Sequence, residues 1–249
     1  MITKNVEDII EKSLNSVVDI VDEIAIADDY STDKTRTIAK KLGAKIYLRH
    51  LDSLSKQKKW VIKKTKNKWV LLLDSDEVLS VGLREEIKKI FSSKKINFSA
   101  FFIPYQNHFL GKPIKYGGEN YQMIRLFRKD KIKIKNLLIH EKVEIKEGRV
   151  GKLHNKIYQY SYRSLWQMFK KFTWYALLEA KQKYKNKEKS SLKKIFLYPL
   201  HMFYARFIED KGYKDGFWRI PLDLGFAYME FLTYFLLGVK NIIKFLKQD

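Results

Sequence analysis

The first 160 residues of this 249-residue chain predict an α/β domain, with a mostly parallel sheet covered by helices on both faces. Three observations carry that expectation. Short apolar runs alternate with helical periodicity as far as about Arg128. Two acidic clusters stand directly after such runs. Beyond about residue 160 the pattern becomes helical, basic and aromatic, so 161–249 reads as a separate C-terminal region.

Taken in order, residues 6–18 carry helical spacing, and Glu23–Ala27 forms a short apolar strand ending at Asp28-Asp29. Residues 33–42 read as a helix with Asp33 as its N-cap. Ala44–Leu48 is the next strand and 54–65 the next helix. Trp69–Leu73 is a continuous apolar run, the mark of a strand buried on both faces, and it runs into Asp74-Ser75-Asp76-Glu77. Residues 80–91 return to helix, and 98–103 and 122–128 read as further strands around a loop rich in Gly and Tyr. Only Met1-Ile2 precede Thr3, so the first strand is expected to be truncated.

In the C-terminal region, Leu165, Met168, Phe169, Phe172 and Tyr175 make a helical stripe within Ser164–Tyr184. A basic run, Lys181–Lys194, follows, and then two apolar, aromatic segments, Ile195–Ile208 and Pro221–Leu246. Leu224–Val239 contains Glu230 and is bordered by Lys240, Lys244 and Lys247. It falls short of about 18 uninterrupted apolar residues, which argues against a membrane span. It suits a helix lying at a membrane interface, or equally one packed on its own domain.

The 50 Lys and Arg against 28 Asp and Glu give a net charge of +22, a field that attracts polyanions such as anionic lipid, phosphorylated substrates or nucleic acid. The absence of cysteine excludes disulfides and thiolate metal sites. The first residues enter a polar, helix-like stretch with no signal-peptide pattern, and no internal repeat is visible.

Ligands of open α/β sheets bind beyond the carboxyl ends of the strands, where both acidic clusters fall. Asp74 and Asp76, two residues apart on a turn, can share one hard divalent cation, Mg²⁺ or Mn²⁺, whose remaining positions take phosphate oxygens. A solvated turn capping the next helix is the structural alternative. In the other cluster, Asp28 and Asp29 can accept hydrogen bonds from a base or ribose, whereas capping alone accounts for Asp33. Lys58 suits a diphosphate, because a cation there offsets charge at the leaving group.

The order T-K-N-x-E, I-A-D-D-x-S-T-D-K-T, Q-K-x-W and W-V-L-L-L-D-S-D-E resembles family-2 glycosyltransferases of the GT-A fold. The resemblance points to bacterial lipopolysaccharide-core and related β-glucosyltransferase-like members. It continues through R-L-F-R at 125–128, I-H-E-K-V at 139–143, Val150-Gly151-Lys152-Leu153 and Tyr160-Ser161-Tyr162-Arg163-Ser164, covering roughly residues 1–220.

The resemblance implies a GT-A domain and an inverting, metal-assisted transfer from a nucleotide-diphospho-sugar, UDP-sugar first among the donors. The acceptor implied is a hydroxyl of a lipid-linked or lipopolysaccharide-core saccharide. Asp28 and Asp29 would contact the nucleoside, Lys58 would face the diphosphate, and Asp74 and Asp76 would hold the metal, with His140 as a third ligand. Glu141 would deprotonate the acceptor, with Glu119 in Gly117-Gly118-Glu119-Asn120 as the rival base. His50, His108, His154 and His201 lack partners at motif spacing and read as structural or surface residues.

Two departures stand out. The family's first strand is complete, and relatives often carry Asn where this chain has Lys59. The expected location is the cytoplasm, peripherally on the inner face of the cell membrane and drawn there by anionic lipid. A nucleotidyltransferase would be expected to show a Gly-rich phosphate loop near its start, which the sequence lacks. A specific nucleic-acid binder is disfavoured, because the lysines are dispersed and no helix-turn-helix, RNP or zinc-finger pattern occurs.

Overall fold

A computed structural model of the chain describes residues 1–119, 121–134 and 143–246. The chain divides into two compact units, Met1–Gln106 with Tyr121–Gln159, and Asn107–Asn120 with Tyr160–Asp249.

The first unit opens with strand β1 (Ile2–Thr3), helix α1 (Ile10–Asn15), β2 (Ala25–Asp28), α2 (Thr35–Lys41), β3 (Lys45–Leu48) and α3 (Leu54–Lys64). β1, β2 and β3 pair in parallel, with Ile2 opposite Ala27 and Ala25 opposite Lys45. Side chains alternate across a strand, so β2 feeds two cores. Ile26 packs with Ile10, Leu14 and Ala39 from α1 and α2, while Ala25 and Ala27 pack with Val61 of α3. The first strand is two residues long. A cavity of about 760 Å³ lies within this unit, lined by apolar residues such as Leu14, Val61 and Leu72 and by polar ones such as Glu23, Lys66 and Asn67.

β4 (Trp69–Leu71), β5 (Glu77–Leu79), α4 (Val81–Ser92), β6 (Ala100–Phe109), β7 (Lys112–Pro113) and β8 (Gln122–Arg128) follow. Then come β9 (Ile132–Ile134), β10 (Val143–Ile145), β11 (Val150–Lys152) and β12 (Ile157–Tyr162). A second sheet runs β4-β8-β6-β12-β5, with β11 parallel to β6, and β9 and β10 form a separate antiparallel pair. The sheet is therefore mixed, with parallel pairing in β6-β11 beside the parallel β1-β2-β3. β8 runs antiparallel to both β4 and β6, so the chain alternates direction where the sequence suggested βαβ units. β5 was hidden in the sequence because its first residue is Glu77 of the acidic turn. Leu73, Leu83, Ile87, Phe101, Leu126 and Ile157 join in one core, where a fully buried side chain of this size contributes about 1.5–3 kcal/mol. Ser53 and Ser80 cap α3 and α4 by accepting the Lys56 and Leu83 amides.

The second unit contains β7, α5 (Leu165–Lys185), α6 (Leu192–Tyr204) and α7 (Ile220–Leu246). A π-helical turn, Ala205–Glu209, extends α6. The segment 107–120 belongs with these helices because Phe109 and Ile114 share a core with Met168, Phe172 and Leu222. Gly225 lets α7 approach α5, since a Cβ there would stand 2.6 Å from the Phe172 ring. By length and composition, Phe217–Ile243 is long and apolar enough to cross a membrane, in contrast to the count of uninterrupted apolar residues made from the sequence. Leu192, Phe196 and Leu200 on α6, and Phe235, Val239 and Ile242 on α7, remain exposed.

Candidate active site

β4 delivers Asp74 to the end of a strand whose following residues, Leu72 and Leu73, are buried. Asp74 then becomes the centre of a compact ionic cluster. Its Oδ1 lies 2.6 Å from Lys58 Nζ, and its Oδ2 accepts from Arg125 Nη2 at 3.0 Å. The same Arg125 nitrogen donates to Glu77 Oε1 at 3.0 Å, and Arg125 Nε donates to the Tyr105 hydroxyl at 2.5 Å. Tyr105 donates in turn to Glu77 Oε1 at 3.0 Å, and Glu77 Oε2 accepts the Asp74 amide at 2.9 Å. The antiparallel register of β8 against β4 brings Arg125 here, with Leu72 N donating to the Arg125 carbonyl.

The electrostatics separate the carboxyls. Burial pushes Asp74 up, but Lys58 and Arg125 outweigh it and hold the carboxyl well below the usual range. Burial pushes Glu77 up to about 7 against the pull of Arg125, and the neighbouring Asp74 and Asp76 add to the rise. Tyr105 is raised well above an ordinary phenol, chiefly by burial. The two cations thereby favour the ionised form of Asp74. Its side chain keeps 24% of its surface open.

Asp76 is half-buried on the same turn. Asp74 and Asp76 offer hard oxygen atoms suited to Mg²⁺ or Mn²⁺, ions that keep several waters or phosphate oxygens. Asp74 Oδ1 lies against the Lys58 ammonium at 2.6 Å and Oδ2 against Arg125, so a cation here would share this carboxylate with both. Among the described residues, no group of three or more His, Asp or Glu side chains converges as a complete metal cage. Two carboxylates on one turn suit a hard cation that completes its shell with phosphate or water oxygens.

The strand end of β2 builds the second part of the site. Asp28 is fully buried and accepts from Thr3 Oγ1 at 2.7 Å, Ser31 N at 2.7 Å and Ser31 Oγ at 2.6 Å. It shapes the loop from within. Asp29 pairs with Lys4 at 2.8 Å and lies 3.3 Å from both the Leu51 amide and His50 Nδ1. Burial pushes its carboxyl up, and the hydrogen bonds from Lys4, Leu51 and His50 outweigh that and lower it. Tyr30, at φ +50°, stacks on His50 with ring centres 4.2 Å apart. Asp33 accepts the Thr35 amide at 3.0 Å, the capping expected of it.

Lys58, expected to face a diphosphate, is buried against Asp74. Glu119 lies in the second unit, where its carboxylate takes Asn107 Nδ2 and Arg206 Nη2. Arg219 holds the same loop. It is fully buried, bonds Asp223 and Asp215, and donates to the Tyr116 and Gly117 carbonyls. Gly117 is required there: its φ is +70°, and a Cβ would fall 1.9 Å from Arg219 Nη2. His140 and Glu141 lie outside the described residues.

Sequence reasoning missed Arg125, Tyr105 and Glu77 as site residues, and it gave His50 no partner. Arg125 did leave a signal, as a cation set between Ile124 and Leu126 inside a strand.

The profile of Glycosyl transferase family 2 matches residues 1–145. A Rickettsia typhi protein described as an uncharacterized glycosyltransferase is 31% identical over 248 residues, covering 93% of this chain and 83% of its own length. A Rickettsia bellii protein of the same description is 30% identical over 246 residues, with coverages of 93% and 82%. Among solved structures, S. aureus TarS in complex with UDP-GlcNAc is similar at a TM-score of 0.44 and 13% identity, over 96% of this chain and 90% of that one.

Proposed function

This chain belongs to glycosyl transferase family 2, a glycosyltransferase of the GT-A fold using nucleotide-sugar donors, and from that premise we propose a metal-assisted, inverting transfer to a membrane-associated saccharide. The observation that carries the reading is the ionic cluster at the end of β4, where Asp74 is held ionised beside Asp76. In this reading Asp76 supplies the principal metal carboxylate and Asp74 the second. A divalent ion held by these two carboxylates would supply positive charge to offset that of the diphosphate leaving group. Lys58 and Arg125 fix Asp74 in one orientation, so its charge and direction need no rearrangement during the reaction. Asp29, with Lys4 and His50 around it, is assigned to the nucleoside, and UDP-sugar is the donor class to try first.

Glu141 is assigned the proton of the acceptor hydroxyl. Glu119 is the weaker candidate because its carboxylate is already bound to Arg206 and Asn107. The acceptor class is a lipid-linked or lipopolysaccharide-core saccharide at the inner face of the membrane. The exposed Leu192, Phe196 and Leu200 of α6, close in sequence to Lys189, Lys193 and Lys194, support docking on anionic lipid. Docking confines the enzyme to the plane of such an acceptor.

A panel of nucleotide-sugars, with Mn²⁺ or Mg²⁺, tests the donor reading by thermal stabilisation. At a ligand concentration 100 times its Kd, a donor adds about 2.7 kcal/mol to the stability of the fold. The expected result is stabilisation by one nucleotide class, greater with metal than with EDTA. Equal and negligible shifts across the whole panel would overturn it.

A further inference from the structure

A hollow of about 730 Å³ lies on the first unit between α3 and the β9-β10 pair, and it is lined by seven Lys and Arg side chains and no carboxylate. Its remaining lining is apolar: Trp60, Ile62, Ile132 and Ile134. Lys56, Lys59 and Lys63 recur at intervals of three and four, so they share one stripe of α3. Lys133 and Lys146 come from the facing β pair and its end, about 70 to 90 residues further along the chain. Lys63, Lys133 and Lys146 are exposed, and no ion pair reaches them among the described residues.

Part of this charge is met locally, and Glu144 stands opposite Lys133 in the β9-β10 register. Arg49 and Lys56 share Asp52, at 3.3 and 3.6 Å. Lys129 donates to the Thr65 carbonyl at 2.7 Å, closing the C-terminal end of α3. Trp60 gathers charge without cancelling it, with the Arg49 guanidinium 5.3 Å and the Lys64 ammonium 4.9 Å from its ring. Like charges at helical spacing repel, and a concave wall concentrates their field. A multiply charged anion relieves that repulsion, and a phosphate monoester carries about two negative charges at neutral pH. The volume exceeds what a bare phosphate needs and matches a small organic molecule.

We propose that this hollow is a second anion site, separate from the donor site, that binds a phosphate ester borne on a sugar or on a lipid headgroup. The apolar floor would take the organic body and the lysines its phosphate. The site stands on its own geometry and does not depend on the transfer reaction.

The test compares three proteins at physiological salt: wild type, the triple variant Lys63→Gln/Lys133→Gln/Lys146→Gln, and the control Lys40→Gln/Lys45→Gln/Lys89→Gln. The control removes the same charge from exposed positions outside the hollow. Glucose 6-phosphate is titrated calorimetrically, and vesicles of phosphatidylcholine with or without phosphatidic acid are tested by co-sedimentation. Binding of glucose 6-phosphate that weakens at least about tenfold in the hollow variant and not in the control supports the site with a sugar phosphate as source. The same pattern seen only with phosphatidic acid vesicles supports it with lipid as source. Saturating UDP should leave binding in place. Competition by UDP, equal losses in both variants, or no saturable binding to either probe would each overturn the proposal.

Discussion

Replacing Arg125 with Met removes the guanidinium that joins Asp74, Glu77 and Tyr105, and the structure predicts a pH signature for the damage. Arg125 is 5% exposed and bonds both carboxylates at 3.0 Å. Removing the shared donor leaves the buried acceptors of Asp74, Glu77 and Tyr105 each short of a hydrogen bond, at about 1–3 kcal/mol for a neutral group and more for a charged one. Lys58 still serves Asp74, so a total of about 3 kcal/mol is expected near pH 7.

Glu77 sets the pH dependence. Its folded value in the wild type is raised to about 7, and loss of the guanidinium raises it further. Between the unfolded value of about 4.5 and pH 7, both folded proteins keep the proton while the unfolded chain releases it. Both therefore lose stability in parallel as pH rises. Above pH 7 the folded variant still holds a proton that the folded wild type has released. The deficit then grows by about 1.4 kcal/mol per pH unit until the variant's own carboxyl ionises. Urea unfolding of both proteins from pH 6 to pH 9, read on the transition of the first unit, measures the difference. A deficit below about 1 kcal/mol, or one that stays flat above pH 7, would refute the assignment of Glu77 and Arg125 as a coupled buried pair.

Other consequences can be checked alongside. Glu141→Gln should lower turnover by roughly 10²–10⁴ with donor affinity retained, as measured by initial rates and donor titration; the same loss in Glu119→Gln alone would exchange the two roles. Gly117→Ala meets both a positive φ and the Arg219 guanidinium, so the second unit should lose more than about 1 kcal/mol in thermal unfolding. Phe196→Ser/Leu200→Ser, at exposed positions of α6, should weaken co-sedimentation with anionic vesicles while leaving donor binding unchanged. Residual vesicle binding of the wild type in high salt is expected, because screening reaches the lysines and not the apolar contacts.

The elements legible in the sequence were those whose signal is local. Trp69–Leu73 read as a buried strand because a run of apolar residues has one meaning in an α/β pattern, and it located Asp74 at a strand end. α3 and α5 read correctly because their apolar spacing extends over several turns. α1 occupies only part of its expected range, with turns replacing its ends. The cluster around Asp74 was legible only in part, because Arg125 is 51 positions away and reaches it through antiparallel pairing that periodicity does not encode. The grouping of 107–120 with the C-terminal helices was likewise hidden, since it depends on Arg219 bonding carbonyls about a hundred residues earlier. The basic hollow was invisible for the same reason. Its lysines looked dispersed because folding alone collects them.

The most direct measurement of the central claim is nucleotide release from the preferred nucleotide-sugar, with Mn²⁺ present, by wild type and by Asp76→Asn. Asp76 lies half-buried on the turn after β4, so the urea midpoints of both proteins are measured alongside to separate loss of the site from loss of the fold. Saturable, metal-dependent release is expected from the wild type, abolished by EDTA and by Asp76→Asn. Near wild-type release from the variant, or from the chelated enzyme, would contradict a metal-assisted transfer at this site.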